Sequence, residues 1–170
     1  MDDIKKEDIS RIDFYNGKLQ NINVVVAKCG VGKVHAAVCT QTMILKYAPD
    51  AIINIGVAGS LSNELNFADI VISDSVVQHD FDVSPFGKPI GLITGIDLVK
   101  IPCSEELVKR LLSAAEILED TNIAVGTVAS GDQFISSKEK KDYIVNNFNA
   151  LCTEMEGASI GHVCYINDVD

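Results

Sequence analysis

The chain has no tryptophan, only four prolines among 170 residues, and no C-x-x-C pair among its five cysteines. Cys29, Cys39, Cys103, Cys152 and Cys164 are odd in number and lie in apolar surroundings, so buried reduced thiols are expected rather than a disulfide framework or a zinc site. The three histidines are scattered: His35 and His162 fall inside expected helices, and the adjacent residues His79-Asp80-Phe81-Asp82 are too close in one loop to complete a metal site, so no metal is expected. Basic runs are also missing. With 24 acidic against 14 basic residues the net charge is −10, which argues against nucleic acid or an anionic membrane as partner. The longest apolar runs, such as Asn23–Ala27 and Ala51–Ile55, are strand-sized and too short to span a bilayer. Met1-Asp2-Asp3 does not read as the start of a signal or transit peptide, so a cytoplasmic location is expected. Hydrophobic residues make up 47% and charged residues 22%, the balance of an ordinary globular chain, and the length suits one domain over 1–170.

What is present is an alternation of apolar runs with amphipathic stretches. Ile12–Tyr15 reads as a strand meeting a hairpin turn at Asn16-Gly17, with Lys18-Leu19 beginning the return and Asn23–Lys28 forming a β-branched run. Cys29–Lys33 then leads into a helix from about Val34 to Tyr47, stopped by Pro49-Asp50. Ala51–Ile55 reads as a second apolar strand running into the glycine turn Gly56–Ser60, and Asp69–Val77 as a third. Ser104, Glu105 and Glu106 open a helix whose apolar face is Leu107, Leu111, Ala115 and Leu118. Ile123–Ala129 is a further buried strand, followed by Ser130–Ile135. Ser136 and Glu139 stand at capping-box spacing before a helix to about Phe148. Strands alternating with helices give an α/β fold with helices packed on both faces of a sheet.

The most informative stretch is Leu151–Tyr165. It begins as an apolar strand end and continues as Glu156–Gly161, a small-residue helix start that another backbone can approach closely. Glu154, Met155 and Glu156 sit at the junction. Open α/β sheets bind ligands at the carboxyl ends of their strands, where carboxylates accept hydrogen bonds from a ligand's hydroxyls. The plainer alternative is that both acids cap the helix. Two glycine turns invite comparison with phosphate loops. Gly30-Val31-Gly32-Lys33 fails the G-x-x-x-x-G-K-[ST] spacing and has His35 in the third glycine's place of G-x-G-x-x-G. It reads either as an anion site at a helix start or as close strand–helix packing. The turn Gly56–Gly59 leaves room for a flat or anionic ligand against its backbone.

In order along the chain, G-V-G-K-V (30–34), I-N-I-G-V-A-G-S-L (53–61), D-I-V-I-S-D (69–74), H-D-F-D-V-S-P-F-G (79–87), S-G-D-Q-F-I (130–135) and T-E-M-E-G-A-S-I-G-H-V-C (153–164) resemble the 5′-methylthioadenosine/S-adenosylhomocysteine nucleosidases, within the purine nucleoside phosphorylase superfamily. The resemblance implies a three-layer α/β/α fold around a central mixed, twisted sheet, and a hydrolase that cleaves the bond between adenine and C1′ of the ribose, with an adenine nucleoside as its small-molecule partner and no cofactor. By the same resemblance Phe134 stacks on the purine and the backbone of Ile135 bonds its edge. Met155 packs against the ribose, Glu156 accepts its 2′- and 3′-hydroxyls, and Glu154 supports that arrangement. Val57, Ala58 and Gly59 border the sugar and the water, Val57 standing where many relatives have a hydroxyl residue. The segment Val83–Gly87 resembles the loop that reaches a neighbouring subunit's pocket in a homodimer.

Two catalytic groups of the family are unmatched: the water-orienting glutamate after a first strand, and the purine-protonating aspartate of an I-S-D motif. The expectation is therefore a chain cut short at both ends, lacking the first strand and the C-terminal part, with little hydrolase activity of its own and no catalytic residue retained. Asp168 and Asp170 lie in no motif that substitutes for them. An exposed sheet edge is expected to favour association as a dimer. A nucleoside phosphorylase and a non-catalytic nucleoside-binding remnant are the competing readings.

Overall fold

A computed structural model of the chain describes residues 1–119 and 121–170. It opens with three antiparallel strands, β1 (Asp2–Ile9), β2 (Ile12–Leu19) and β3 (Ile22–Ala27), in the order β1-β2-β3. The charged opening, in which no strand was expected, is thus a strand. Its side chains are almost all exposed, so it carries no alternating apolar pattern to read, and charge on an edge strand discourages further pairing. The hairpin turn is not at Asn16-Gly17 either. Both turns are two-residue connections with positive φ at both positions, Ser10-Arg11 (55° and 63°) and Gln20-Asn21 (48° and 68°). Asn16 and Gly17 lie within β2, paired with Val25 and Val24. Glycine is needed there for another reason: a Cβ on Gly17 would stand 2.7 Å from the Asp2 carbonyl oxygen of β1.

One helix, α1 (Lys33–Tyr47), covers this sheet, with Ile12, Phe14 and Cys39 buried between them and Met43 and Tyr47 packed alongside. A second sheet carries the rest. Its strands β4 (Gly59–Ser60), β5 (Ile70–Gln78), β6 (Lys100–Pro102), β7 (Ile123–Ser130) and β8 (Ala150–Glu154) lie in the order β4-β8-β7-β5-β6. The central three are parallel and both edges antiparallel, so the sheet is mixed as expected. Three helices accompany it: α2 (Glu105–Ala115), α3 (Lys138–Phe148) and α4 (Gly157–Ile166).

Strand alternation places helices on both faces. Val77 and Ala129 point to one side, against Ile144 and Phe148 of α3, while Val76 and Val128 point to the other, against Ala158 of α4. The three-layer α/β/α reading holds. At the small-residue start of α4 a side chain rather than another backbone comes close, since a Cβ on Gly161 would meet Val76 Cγ2 at 2.8 Å. Behind it α4 packs on α1 through Ala36, Ile160 and Cys164. Two helix starts differ from expectation. The cap of α3 is Ser137 rather than Ser136, its hydroxyl accepting from the Lys140 N–H. Ser104 stands at the expected N-cap position of α2, but its hydroxyl makes no cap and donates to Asp170 instead.

The largest departure is Ala51–Ile55, which is not a strand. Among its hydrogen bonds is one from the Ile52 N–H to the Asp170 carbonyl, 2.7 Å, but no strand of either sheet pairs with it. Ile55 is 90% and Val57 96% exposed. A short apolar run has the composition of a buried strand, but becomes one only where a neighbouring backbone supplies the ladder.

Candidate functional site

Strands β5, β7 and β8 are parallel, so their carboxyl ends lie together, and the residues just beyond them form the candidate site. Ser130 ends β7 opposite Glu154 at the end of β8. From there β7 leads into Asp132–Ile135 and β8 into Met155-Glu156 and the start of α4.

The two acids divide the alternatives between them. Glu154 caps: its Oε2 accepts from the backbone N–H groups of Glu156 (2.8 Å) and Gly157 (2.7 Å), and Oε1 takes the hydroxyl of Ser130. A carboxylate at a helix start suits the positive end of the helix dipole. Ser130 is fully buried and also accepts from the Ala158 N–H at 2.6 Å, so it joins strand, acid and helix in one node. Glu156 occupies the N-cap position of α4 but makes no cap with its side chain. Its Oε1 instead accepts from the Gly32 N–H at 2.6 Å, and this contact crosses from α4 to the start of α1.

That contact explains the turn before α1. Gly30 and Gly32 have φ of 90° and 92°, in the region that favours glycine. Two successive N–H groups there meet two carboxylates: Gly32 meets Glu156, and Lys33 meets Asp132 Oδ1 at 2.8 Å. The anion expected at this helix start is supplied by the protein's own side chains. Spacing rules for phosphate loops do not reveal this, because the partners are about a hundred residues away in sequence.

Phe134 extends from the Asp132–Ile135 loop with its ring 86% exposed, whereas Ile135 is half-buried and packs towards Val77 and Phe148. Met155 and Glu156 are half-buried. The segment bearing Val57, Ala58 and Gly59 runs beside β8. Gly59 pairs with Thr153, and the Asn54 amide stands 3.4 Å from where a Cβ on Gly157 would be. Glu154, Met155, Glu156 and the Gly56–Gly59 turn therefore gather at one sheet end. Asp132, two residues before Phe134, reaches the same α1 start as Glu156. The side chains of Val57, Ala58 and Phe134 lie open rather than packed over the strand ends.

Sequence reading missed Asp80, Lys33 and Asp132. Lys33 Nζ pairs with Asp80 Oδ1 at 2.7 Å, and Asp80 Oδ2 accepts from the Asp132 N–H at 2.8 Å. Burial pushes the Asp80 carboxyl up, but Lys33 and the Asp132 N–H outweigh it and hold it below its usual range. His79 beside it is buried, with Nε2 unpartnered, and burial lowers its pKa against the opposing pull of Asp80. A cavity of about 250 Å³ is lined by His79, Asp80, Asp82, Gln133, Ile135 and Lys140, among others. It touches Ile135 but none of Glu154, Met155 and Glu156. Of the cysteines, all free, Cys39, Cys152 and Cys164 are buried and Cys29 and Cys103 half-buried; burial pushes the thiols of the first three up to about 11.

Comparison with known proteins gives the same picture from outside. The model of the phosphorylase superfamily matches residues 2–170. A 5′-methylthioadenosine/S-adenosylhomocysteine nucleosidase of Anoxybacillus flavithermus is 38% identical over 158 residues, 92% of this chain and 68% of that protein. The one from Shewanella loihica is 39% identical over 166 residues, 97% of this chain and 72% of its own length. An aminodeoxyfutalosine nucleosidase of Helicobacter pylori is 39% identical, covering 89% of this chain and 64% of that protein. Among solved structures, a Neisseria meningitidis nucleosidase in complex with methylthio-immucillin-A superposes with a TM-score of 0.96 at 32% identity, covering 99% of this chain and 73% of its own. A mutant Helicobacter pylori nucleosidase with 5′-methylthioadenosine in the active site gives 0.93 at 35% identity, over 98% of this chain and 71% of its own. Sequence and backbone agree over nearly the whole length, and the chain belongs to the 5′-methylthioadenosine/S-adenosylhomocysteine nucleosidase family of the phosphorylase superfamily.

Proposed function

We propose that this protein is a hydrolase that cleaves the N-glycosidic bond of 5′-methylthioadenosine and S-adenosylhomocysteine, water adding at C1′ to give adenine and the corresponding thioribose. The observation that carries the reading is the free carboxylate of Glu156, held by the Gly32 N–H at the carboxyl end of β8 beside the loop of the open Phe134 ring. In this reading Glu156 accepts the ribose 2′- and 3′-hydroxyls and Met155 packs on the sugar. Phe134 stacks on the purine, the Ile135 backbone bonds its edge, and Val57, Ala58 and Gly59 border the sugar. Departure of adenine leaves the ribose oxocarbenium-like, and a fixed carboxylate at its hydroxyls stabilises that developing positive charge. Glu154 does not touch substrate; it holds the turn that presents Glu156.

Two observations favour hydrolysis over phosphorolysis. The relatives named above are nucleosidases, and the N–H groups that could have gripped phosphate at the α1 start are taken by Glu156 and Asp132. The related aminodeoxyfutalosine nucleosidase leaves the group at the ribose 5′ position less defined than the reaction class. The test is adenine release from methylthioadenosine in phosphate-free buffer. Release that is slow, since two catalytic groups of the family are unmatched in this sequence, and indifferent to phosphate is expected; strict dependence on phosphate, with a thioribose 1-phosphate as product, would establish a phosphorylase instead.

A cytoplasmic enzyme of methionine salvage acting as a homodimer completes the proposal. Among the described residues no helix is long and apolar enough to cross a membrane. Support for a dimer comes from the exposed Val34, Val38 and Leu45 of α1, with Val31 exposed in the turn before it, and from the exposed Phe86 ring in the short 3-10 turn Ser84–Phe86. Light scattering should give twice the chain mass, and a monomer at every concentration would refute that part.

A further inference from the structure

The motif His79–Asp82 has no part in the nucleoside contacts above, yet one of its side chains reaches both halves of the site. Asp80 accepts from Lys33 Nζ with Oδ1 and from the Asp132 N–H with Oδ2; Asp132 in turn accepts from the Lys33 N–H with Oδ1. These three contacts close a ring among residues from the end of β5, the loop after β7 and the first turn of α1. Asp80 is its best-buried charge, 13% exposed against 21% for Lys33. One arm leaves the ring through Asp132 towards Phe134, two residues on. The other leaves through the Gly32 peptide, whose N–H holds Glu156.

We propose that Asp80 is a positioning residue that sets the distance between the purine-stacking loop and the ribose-binding carboxylate. The inference rests on the nucleoside reading of the site and deepens it. A nucleoside is a rigid link between base and sugar, so its two grips act together only if their separation is right. One grip stands on a loop and the other is held by a glycine turn, and the Asp80 ring ties those two segments to each other. A lone surface ion pair would do little of this, but a closed set of charge-assisted hydrogen bonds centred on the half-buried Asp80 and Lys33 restricts geometry. Lys33 adds a second restraint through Gln78 Oε1 at 3.4 Å, which keeps its amine over the end of β5.

The experiment uses Asp80→Asn, which keeps the shape and one acceptor but turns an NH2 towards a donor. Amide hydrogen exchange is first followed without any nucleoside. Faster exchange is expected at Asp132, which touches Asp80, and also at Gly32, which does not. Isothermal titration with methylthioadenosine should then show affinity weakened about tenfold, the equivalent of roughly one hydrogen bond. Lys33→Met removes the same ion pair from the other side while leaving the Lys33 N–H in place, and should reproduce both effects. It also keeps the question answerable if the asparagine variant folds poorly. The double variant should lose little more than either single one. If exchange quickens at Asp132 alone and affinity stays within threefold of wild type, Asp80 is only a structural anion and the proposal is overturned. Failure of the wild-type chain to bind methylthioadenosine would instead overturn the nucleoside reading, and the exchange pattern would still decide whether Asp80 couples the two segments.

Discussion

Replacing Glu156 by glutamine tests the reading of the site most directly, because the change removes charge and almost no volume. In the structure one carboxylate oxygen accepts from the Gly32 N–H at 2.6 Å. The amide oxygen of glutamine can keep that contact, which turns the new NH2 group towards the position proposed for the ribose diol. One hydroxyl can accept from it, but the charged acceptor is lost. Hydrogen bonds to a charged group contribute about 1.5–3 kcal/mol each, so losing between one and two of them costs roughly 2–5 kcal/mol. At about 1.4 kcal/mol per tenfold, affinity for methylthioadenosine should fall roughly 30- to 4,000-fold. The fold should barely respond. Weakening one charge-assisted contact by about 1 kcal/mol lowers the melting temperature by roughly 3 °C in a domain of this size. Isothermal titration gives the affinity and a thermal melt the control. A folded Glu156→Gln protein that binds within threefold of wild type would refute the role assigned to this carboxylate.

Three other outcomes follow from the same geometry. Phe134→Ala should weaken nucleoside binding by about 1–3 kcal/mol, the usual worth of stacking on a base, and leave the melting temperature unchanged because the ring is already exposed; a large stability loss would show that the ring is structural. Ser130→Ala strips the buried Ala158 N–H of its acceptor and Glu154 of a donor, so a loss of about 2 kcal/mol, or roughly 6 °C, is expected in a thermal melt. An unchanged melt would remove Ser130 from the node. His79 is held neutral by burial, its pKa lowered from the ordinary value. Its contribution to stability is therefore complete above about pH 6.5 and is lost as the pH falls through the lowered folded value, where the unfolded chain takes the proton first. Urea midpoints measured from about pH 7.5 to pH 5 should fall more steeply for wild type than for His79→Gln; parallel slopes would contradict this.

Much of the architecture is written in local pattern. The β-branched runs at Asp69–Val77 and Ile123–Ala129 are strands within a residue of where they were expected, since runs of that kind suit a sheet buried on both faces. The small residues of α4 mark a close approach by their size alone, although what approaches Gly161 is the Val76 side chain rather than the backbone their pattern suggested. The acids at 154 and 156 stand at a strand–helix junction in the sequence, and that junction is where the structure has them.

Other features depend on partners that no local window contains. Ala51–Ile55 has the composition of a strand and is not one, because no strand of either sheet pairs with it, while Asp2–Ile9 lacks the composition and is a strand because β2 pairs with it. Spacing could not say that Glu154 caps and Glu156 does not, since the difference lies in Ser130 and Gly32, each more than twenty residues away. The Asp80 ring is the extreme case, drawn from positions 33, 80 and 132. The sequence by itself determined the layered α/β architecture, the family and the chemical character of the site, because those follow from periodicity, residue size and motif order. Only the tertiary structure decided which carboxylate is free and what holds it, because hydrogen bonds are made by groups close in space, whatever their distance along the chain.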